Sequence, residues 1–377
     1  MSRRVLIVPD KFKGTLTAVE ATEAIAAGWR RVWPGDILEL LPMSDGGDGF
    51  GSILAKPLDA ETRSVMTVDA ASRPVSAEWW WDPRDRIALI EAARANGLAQ
   101  LPPGRFHPFE LDTFGLAALF AAASSEGAER CLVGIGGSAT NDAGFGLARG
   151  LGWSFLDREG DRIERWTGLA RLRRVIQPLE PVEVKFAELR VAVDVQNPLL
   201  GPQGCSRIYG PQKGIRPDDL PLADAALGRL AEVMAQHTGH DFAVEPGAGA
   251  AGGLGFGLGA FLGGKMTPGF DLFADLSQLI AKIDAADVVI TAEGSIDASS
   301  LMGKGVGGVA ECCAKRGRPC LGLAGAVGAP ELLGKRFQTL RGLTPDFVSR
   351  EESFLHPAHH LTRLTEELAR SYGSGPE

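Results

Sequence analysis

The placement of glycine constrains this chain more than any other feature. There are 49 glycines in 377 residues, and they concentrate in polar or acidic loops that follow short apolar runs. Strands ending in glycine-rich turns point to an α/β enzyme. The backbone at the carboxyl edge of a sheet must approach a ligand closely, and glycine has no Cβ to obstruct it. A chain of 377 residues is too long for one ordinary core and suits two domains, with 45% hydrophobic residues to fill them. A net charge of -8 argues against a nucleic-acid surface, which needs clustered Lys and Arg. The cysteines Cys131, Cys205, Cys312, Cys313 and Cys320 form no CxxC pair and read as reduced thiols. The first apolar run, 5–8, is too short for a signal segment or a membrane span, so no membrane partner and a cytoplasmic location are expected. The tail 373–377 has a disordered composition.

The order of elements gives the architecture. A strand over 5–8 leads through the loop 9–14 into a helix from about Leu16 to Trp33, opened by Thr17 and Glu20 at capping-box spacing. A second strand, 37–41, ends in Met43-Ser44-Asp45-Gly46-Gly47-Asp48-Gly49. The alternating stretch 65–81 reads as antiparallel strands, followed by a strand at 87–91. Further strands are expected at 130–135, 190–195, 286–291 and 319–323, with a loop at 293–297 and a helix at 305–315. Both ends of the chain are regular βα units and the middle is less regular. The expectation is therefore one discontinuous parallel-sheet domain, 1–62 plus 284–377, carrying an inserted α/β domain, 63–283.

Five loops at strand ends carry the chemistry. Asp10-Lys11-Phe12-Lys13-Gly14, just before a capped helix, offers N–H groups and two ammonium charges to a carboxylate or phosphate. Ser44-Asp45-Gly46-Gly47-Asp48-Gly49 places carboxylates in a turn suited to a general base, a magnesium ligand or a substrate contact. Gly134-Ile135-Gly136-Gly137-Ser138-Ala139-Thr140-Asn141-Asp142 contains GxGxxA, with Asp157 at a tempting distance for a ribose contact. Asp142, however, would compete with a pyrophosphate for the first helical N–H groups, so a Ser/Thr/Asn nest holding phosphates with Mg²⁺ fits better. Asp194 with Asn197, and Glu293 with Asp297, complete the set. The stretch 247–264 reads as small residues in a packed helix or flexible loop. It runs on into an incomplete Walker A loop at 259–266, where Met266 stands in place of the Mg²⁺-binding hydroxyl. The histidines show no zinc spacing.

Six segments, those of the five loops and one more at 210–214, stand in an order that resembles the type-I glycerate kinase family over nearly the whole chain. They are Ile7-Val8-Pro9-Asp10-Lys11-Phe12-Lys13-Gly14-Thr15-Leu16, Ser44 to Gly49, Gly136 to Asp142, Val193-Asp194-Val195-Gln196-Asn197-Pro198-Leu199, Gly210-Pro211-Gln212-Lys213-Gly214, and Thr291-Ala292-Glu293-Gly294-Ser295-Ile296-Asp297. The resemblance implies transfer of the γ-phosphoryl group of ATP, with Mg²⁺, to D-glycerate, chiefly giving 2-phosphoglycerate. It also implies two α/β domains, one Rossmann-like and one flavodoxin-like or mixed, with the active site in the cleft between them. The chain departs from the family pattern at Lys11 (often Ser), Asp48 (usually Glu) and Ser295 (usually Arg), and the last leaves its loop without a cation for phosphate or carboxylate.

Phosphoryl transfer asks mainly for positioning and charge neutralisation, which suggests the roles. Asp45 is the expected base, with Glu293 second and Lys13 meeting anions beside Lys11. Asp10, Lys11, Ser44, Gly46 and Gly47 are expected at substrate or nucleotide. Gly136, Gly137, Ser138, Thr140, Asn141, Asn197 and Lys213 are expected at substrate or nucleotide, and Asp194 and Asp297 at Mg²⁺. Two other readings stay open: an NAD-dependent hydroxy-acid oxidoreductase built on 134–139, and a non-catalytic small-acid-binding protein. Oligomeric state is also left open, a homodimer included.

Overall fold

The computed structural model describes residues 2–47, 49–178, 184–297, 300, 305–328 and 336–373. Asp48 and the tail residues 374–377 lie outside the described residues. Two compact units emerge, 1–45 with 270–377 and 46–269, the second inserted into the first. These limits differ from the expected 62/63 and 283/284. The helix Phe50–Leu58 packs on the strands Pro74–Asp82 and Ile87–Glu91, which draws it into the inserted unit. Phe270, at the other limit, lies so close to Gly308 that an added Cβ there would meet its ring at 2.6 Å.

The first unit is built on a five-stranded parallel sheet in the order Thr339–Thr344, Cys320–Val327, Val288–Ile296, Arg4–Pro9, Ile37–Leu40. Val5, Ile7, Val288, Ile290, Leu321 and Leu323 form one face and pack with the helices Ala18–Val32 and Pro357–Gly373. The helices Leu279–Ala285 and Gly305–Lys315 pack on the central strands as well. A parallel sheet buried in this way reads as continuous apolar runs, which is why 5–8 was legible as a strand. The strand expected at 286–291 runs on to Ile296, because Glu293, Ser295 and Ile296 keep pairing with Ala324, Ala326 and Val327. The segment expected to be a loop is therefore largely strand.

The inserted unit carries a six-stranded mixed sheet in the order Lys265–Thr267, Glu188–Ala192, Arg130–Gly134, Ile87–Glu91, Pro74–Asp82, Glu61–Val68. The four strands from 265 to 91 in that order are parallel and the last two pair antiparallel. The strand expected at 190–195 spans Glu188–Ala192 instead, and the bond from Val193 N–H to Thr267 O is the last along its pairing with strand 265–267. Trp79, Trp81, Ile90 and Val133 join Leu119, Phe120, Leu254 and Leu258 in one core. Beyond it, the helix Leu220–Thr238 packs with Phe145, Phe155 and Trp166 in another. No described helix is long and apolar enough to cross a membrane.

The helix Ala18–Val32 opens on the capping box that its sequence predicts. The Thr17 hydroxyl accepts from Glu20 N–H at 3.2 Å, and the Glu20 carboxylate accepts from Thr17 N–H at 2.8 Å. Thr17→Ala should lower stability by about 1 kcal/mol in urea denaturation, the usual cost of losing an N-cap hydroxyl. An unchanged denaturation midpoint would show that the cap contributes nothing.

Candidate active site

In the first unit the chain leaves strand 4–9 toward 37–40 on one side and leaves strand 288–296 toward 320–327 on the other. The point where the connections diverge lies between these two strands, and ligands of open parallel sheets bind outside the carboxyl ends of strands at such a point. Two carboxyl groups sit there. Pro9 pairs with Ala292, and Asp10 N–H donates to Ala292 O at 2.7 Å, so Asp10 and Glu293 follow side by side.

Asp10 is buried, and its Oδ1 accepts from Lys11 N–H at 2.7 Å. Burial, with the charge of Asp45 second, pushes its pKa up to about 7. Burial likewise lifts Glu293 to about 7, against a 2.6 Å hydrogen bond from Ser300 Oγ, with Asp297 and Asp45 adding to the rise. Asp10, Asp45, Glu293 and Asp297 thus share one electrostatic neighbourhood. Lys11 is half-buried beside Asp10, Lys13 is exposed, and Ser44 is buried. The 12–13 backbone lies against the 288–296 strand: a Cβ on Gly294 would stand 3.2 Å from Lys13 N. Ser295 is exposed and lies two residues along the strand from Glu293.

In the inserted unit, the loops after strands 87–91, 130–134 and 188–192 lie along one sheet edge. Gly136 N–H donates to Gly46 O at 3.0 Å. Gly46 holds φ 107°, and a Cβ there would sit 2.8 Å from the Cβ of Ala192, so only glycine fits. The 136–140 loop is stitched to 96–98, with Leu98 N–H donating to Gly137 O and Ala139 N–H to Asn96 O, each at 2.8 Å. Lys213 Nζ donates to Ser138 Oγ at 2.8 Å and to Thr140 O at 2.7 Å. Burial lowers the Lys213 pKa to about 8, with Cys205 and Asp142 opposing the fall.

Several side chains expected at a ligand face inward instead. Thr140 and Asn141 are fully buried, and Asn141 Nδ2 donates to Ser206 Oγ at 2.9 Å. Lys213 is buried behind the loop. Asn197 braces its own loop, donating to Gln203 O at 2.8 Å and accepting from Tyr209 OH at 2.6 Å. Asp194 does not belong with these: it is half-buried at the strand end, and its Oδ1 accepts from Gly269 N–H at 3.1 Å. Asp142 takes the first-turn Gly146 N–H at 2.9 Å along with both donors of Thr113, so the loop is not a dinucleotide fingerprint. The 247–264 stretch is a packing element. Its helix Ala250–Leu262 kinks through left-handed Ala251, Gly252 and Gly253, and a Cβ on Gly252 would meet Thr140 O at 2.0 Å.

Two residues escaped the sequence reading. Glu91, buried at a strand end, accepts from Gly49 N–H at 3.1 Å and so anchors the glycine turn; its strand-end position was the available signal. Ser300, which fixes Glu293, carries no such signal. Among the described residues no three His, Cys, Asp or Glu gather as a metal cage. Mg²⁺ does not require one, because it binds through one or two carboxylates with water and phosphate oxygens.

The raised pKa values have a consequence for stability. A carboxyl whose folded pKa exceeds its unfolded one binds more protons when folded, so its contribution is present below about pH 4 and is lost as pH rises toward 7. Asp10→Asn, which keeps the acceptor for Lys11 N–H, should therefore gain on the wild type by more than about 1 kcal/mol between pH 5 and pH 8. Parallel pH dependences of the two proteins in chemical denaturation would contradict the assignment.

Comparison with known proteins places the whole chain. Residues 5–373 match the model of the glycerate kinase family. The chain is 34% identical over 371 residues to a glycerate kinase of Bacillus subtilis, covering 98% of this chain and 97% of the relative. It is 36% identical over 326 residues to the glycerate 2-kinase of Escherichia coli, covering 86% of this chain and 85% of the relative. The crystal structure of a protein assigned as glycerate kinase 2 from Salmonella typhimurium superposes with a TM-score of 0.82 at 31% identity, covering 100% of this chain and 99% of the other. The chain therefore belongs to the glycerate kinase family.

Proposed function

We propose that the protein transfers the γ-phosphoryl group of ATP to D-glycerate, giving 2-phosphoglycerate, with Mg²⁺ as the metal. The observation that carries the reading is the side-by-side placement of Asp10 and Glu293 at the divergence of strands 4–9 and 288–296, with Asp45 in the same neighbourhood. Relatives that carry the glycerate kinase and glycerate 2-kinase names support the substrate and the position phosphorylated.

Asp45 takes the role of the base that orients the attacking hydroxyl, with Glu293, held by Ser300, as the second candidate. Lys13 is exposed to receive an anion, and Lys11 offsets charge beside Asp10. Asp10, Ser44, Gly46 and Gly47 belong to the substrate-binding set. The backbone of Gly136 and Gly137 and the hydroxyl of Ser138 serve the nucleotide phosphates, supported from behind by Thr140, Asn141 and Lys213. Asn197 shapes the loop that carries Asp194. Asp194 and Asp297 are the carboxylates that would hold Mg²⁺, which when bound neutralises charge on the phosphates.

Glycerate-dependent consumption of ATP, with phosphorus NMR of the product, tests the reading. A signal for 2-phosphoglycerate is expected; turnover of a nicotinamide cofactor, or glycerate binding without ATP consumption, would overturn it. Asp45→Asn should lower kcat by roughly 10²–10⁴-fold if it is the base. Near-normal turnover would pass that role to Glu293.

A further inference from the structure

Lys213 occupies a costly position. Its ammonium is buried, and its two acceptors, a hydroxyl and a peptide carbonyl, are neutral. A buried charge persists only where hydrogen bonds and a counter-charge replace water, and Asp142 supplies the counter-charge here. The side chain leaves the last residue of the short helix Gly210–Lys213, which stops at Gly214 with φ 102°. It reaches loop residues 73 and 75 positions earlier in the sequence.

The chemistry of the two bonds matters more than their number. An ammonium has donors and no acceptor, so Ser138 Oγ must accept from it. The hydroxyl hydrogen of Ser138 is thereby turned away from Lys213 and is left to donate elsewhere. Thr140 O is gripped from two sides, by Lys213 and by the close approach of Gly252. Ser138 itself is anchored at its backbone, where it bridges to Gly97. Backbone bonds at Gly137, Ser138 and Ala139 hold the loop in place, and Lys213 keeps the Ser138 O–H directed away from its own ammonium.

We propose that Lys213 is a positioning residue that makes the Ser138 hydroxyl an obligate donor to an anionic oxygen of the substrate nucleotide, without touching the ligand itself. This rests on the reading of the 136–140 loop as the seat of the nucleotide phosphates. The mutational cycle of Ser138→Ala, Lys213→Met and the double variant tests it, with the Michaelis constants for ATP and glycerate measured separately. Each single variant should raise the KM for ATP by about tenfold or more, the usual loss for a hydrogen bond to a charged group. The double variant should be no worse than Lys213→Met within about twofold, because both changes remove one interaction. Effects that multiply would overturn the proposal, since Lys213 would then act independently of Ser138. A wild-type KM for both substrates in Ser138→Ala would overturn it as well. A non-additive cycle that moves the KM for glycerate and leaves that for ATP would keep the Lys213–Ser138 coupling and remove the nucleotide assignment of the loop. Thermal unfolding of each variant reports folding. If Lys213→Met does not fold, Lys213→Gln, which keeps a donor without the charge, carries the same cycle and the same outcomes.

Discussion

The pairing of strand 4–9 with strand 288–296 joins segments more than 280 positions apart, and the rest of the first unit follows from it. Val5 to Pro9 register against Val288 to Ala292, and Thr291 Oγ1 closes the pairing on Val8 O at 2.7 Å. A register shift of one residue would turn the apolar set Val5, Ile7, Val288 and Ile290 away from its helices, so burial fixes the alignment. The same alignment delivers Asp10 and Glu293 together at the carboxyl edge. Burial, with the charge of Asp45 nearby, makes each of these carboxyls costly to ionise, and their raised pKa values record that cost.

The inserted unit holds the 136–140 loop, the proposed seat of the nucleotide phosphates, from within. Here the side chains look inward. Asn141, Asp142 and Lys213 spend their polar atoms on Ser206, Thr113, Gly146, Ser138 and Thr140. Glycines at 252 and 257 let a helix press on the loop from behind, where a Cβ would collide with Thr140 O and Ala143 O. Burial of Asp142, with the charge of Asp112 second, pushes its pKa up to about 6 even against its hydrogen bonds. Rigidity of this kind is what a phosphate-binding nest requires, because preorganised donors need not reorganise during transfer.

Much of this was legible in the residues. The capping box at Thr17 and Glu20, the apolar runs of buried strands, and glycine loops at strand ends are local signals, and local physics reads them correctly. The α/β class followed from the order of those signals. Direction was not legible. A Lys or Asn beside a glycine loop looks like a ligand contact, and nothing local says that Lys213 and Asn141 turn inward to brace the loop. The extension of strand 288–296 past Thr291 depends on its partner at 324–327, and the domain limits depend on what Phe50 and Phe270 pack against. The strand-end position of Glu91 was legible, but its partner, the Gly49 N–H 42 positions away, was not.

A crystal structure of the protein with D-glycerate bound tests the central claim most directly. Glycerate is expected outside the carboxyl ends of strands 4–9 and 288–296, with its hydroxyl within hydrogen-bond distance of Asp45 or Glu293. Glycerate held elsewhere, with Asp10, Asp45 and Glu293 all out of reach, would contradict the account.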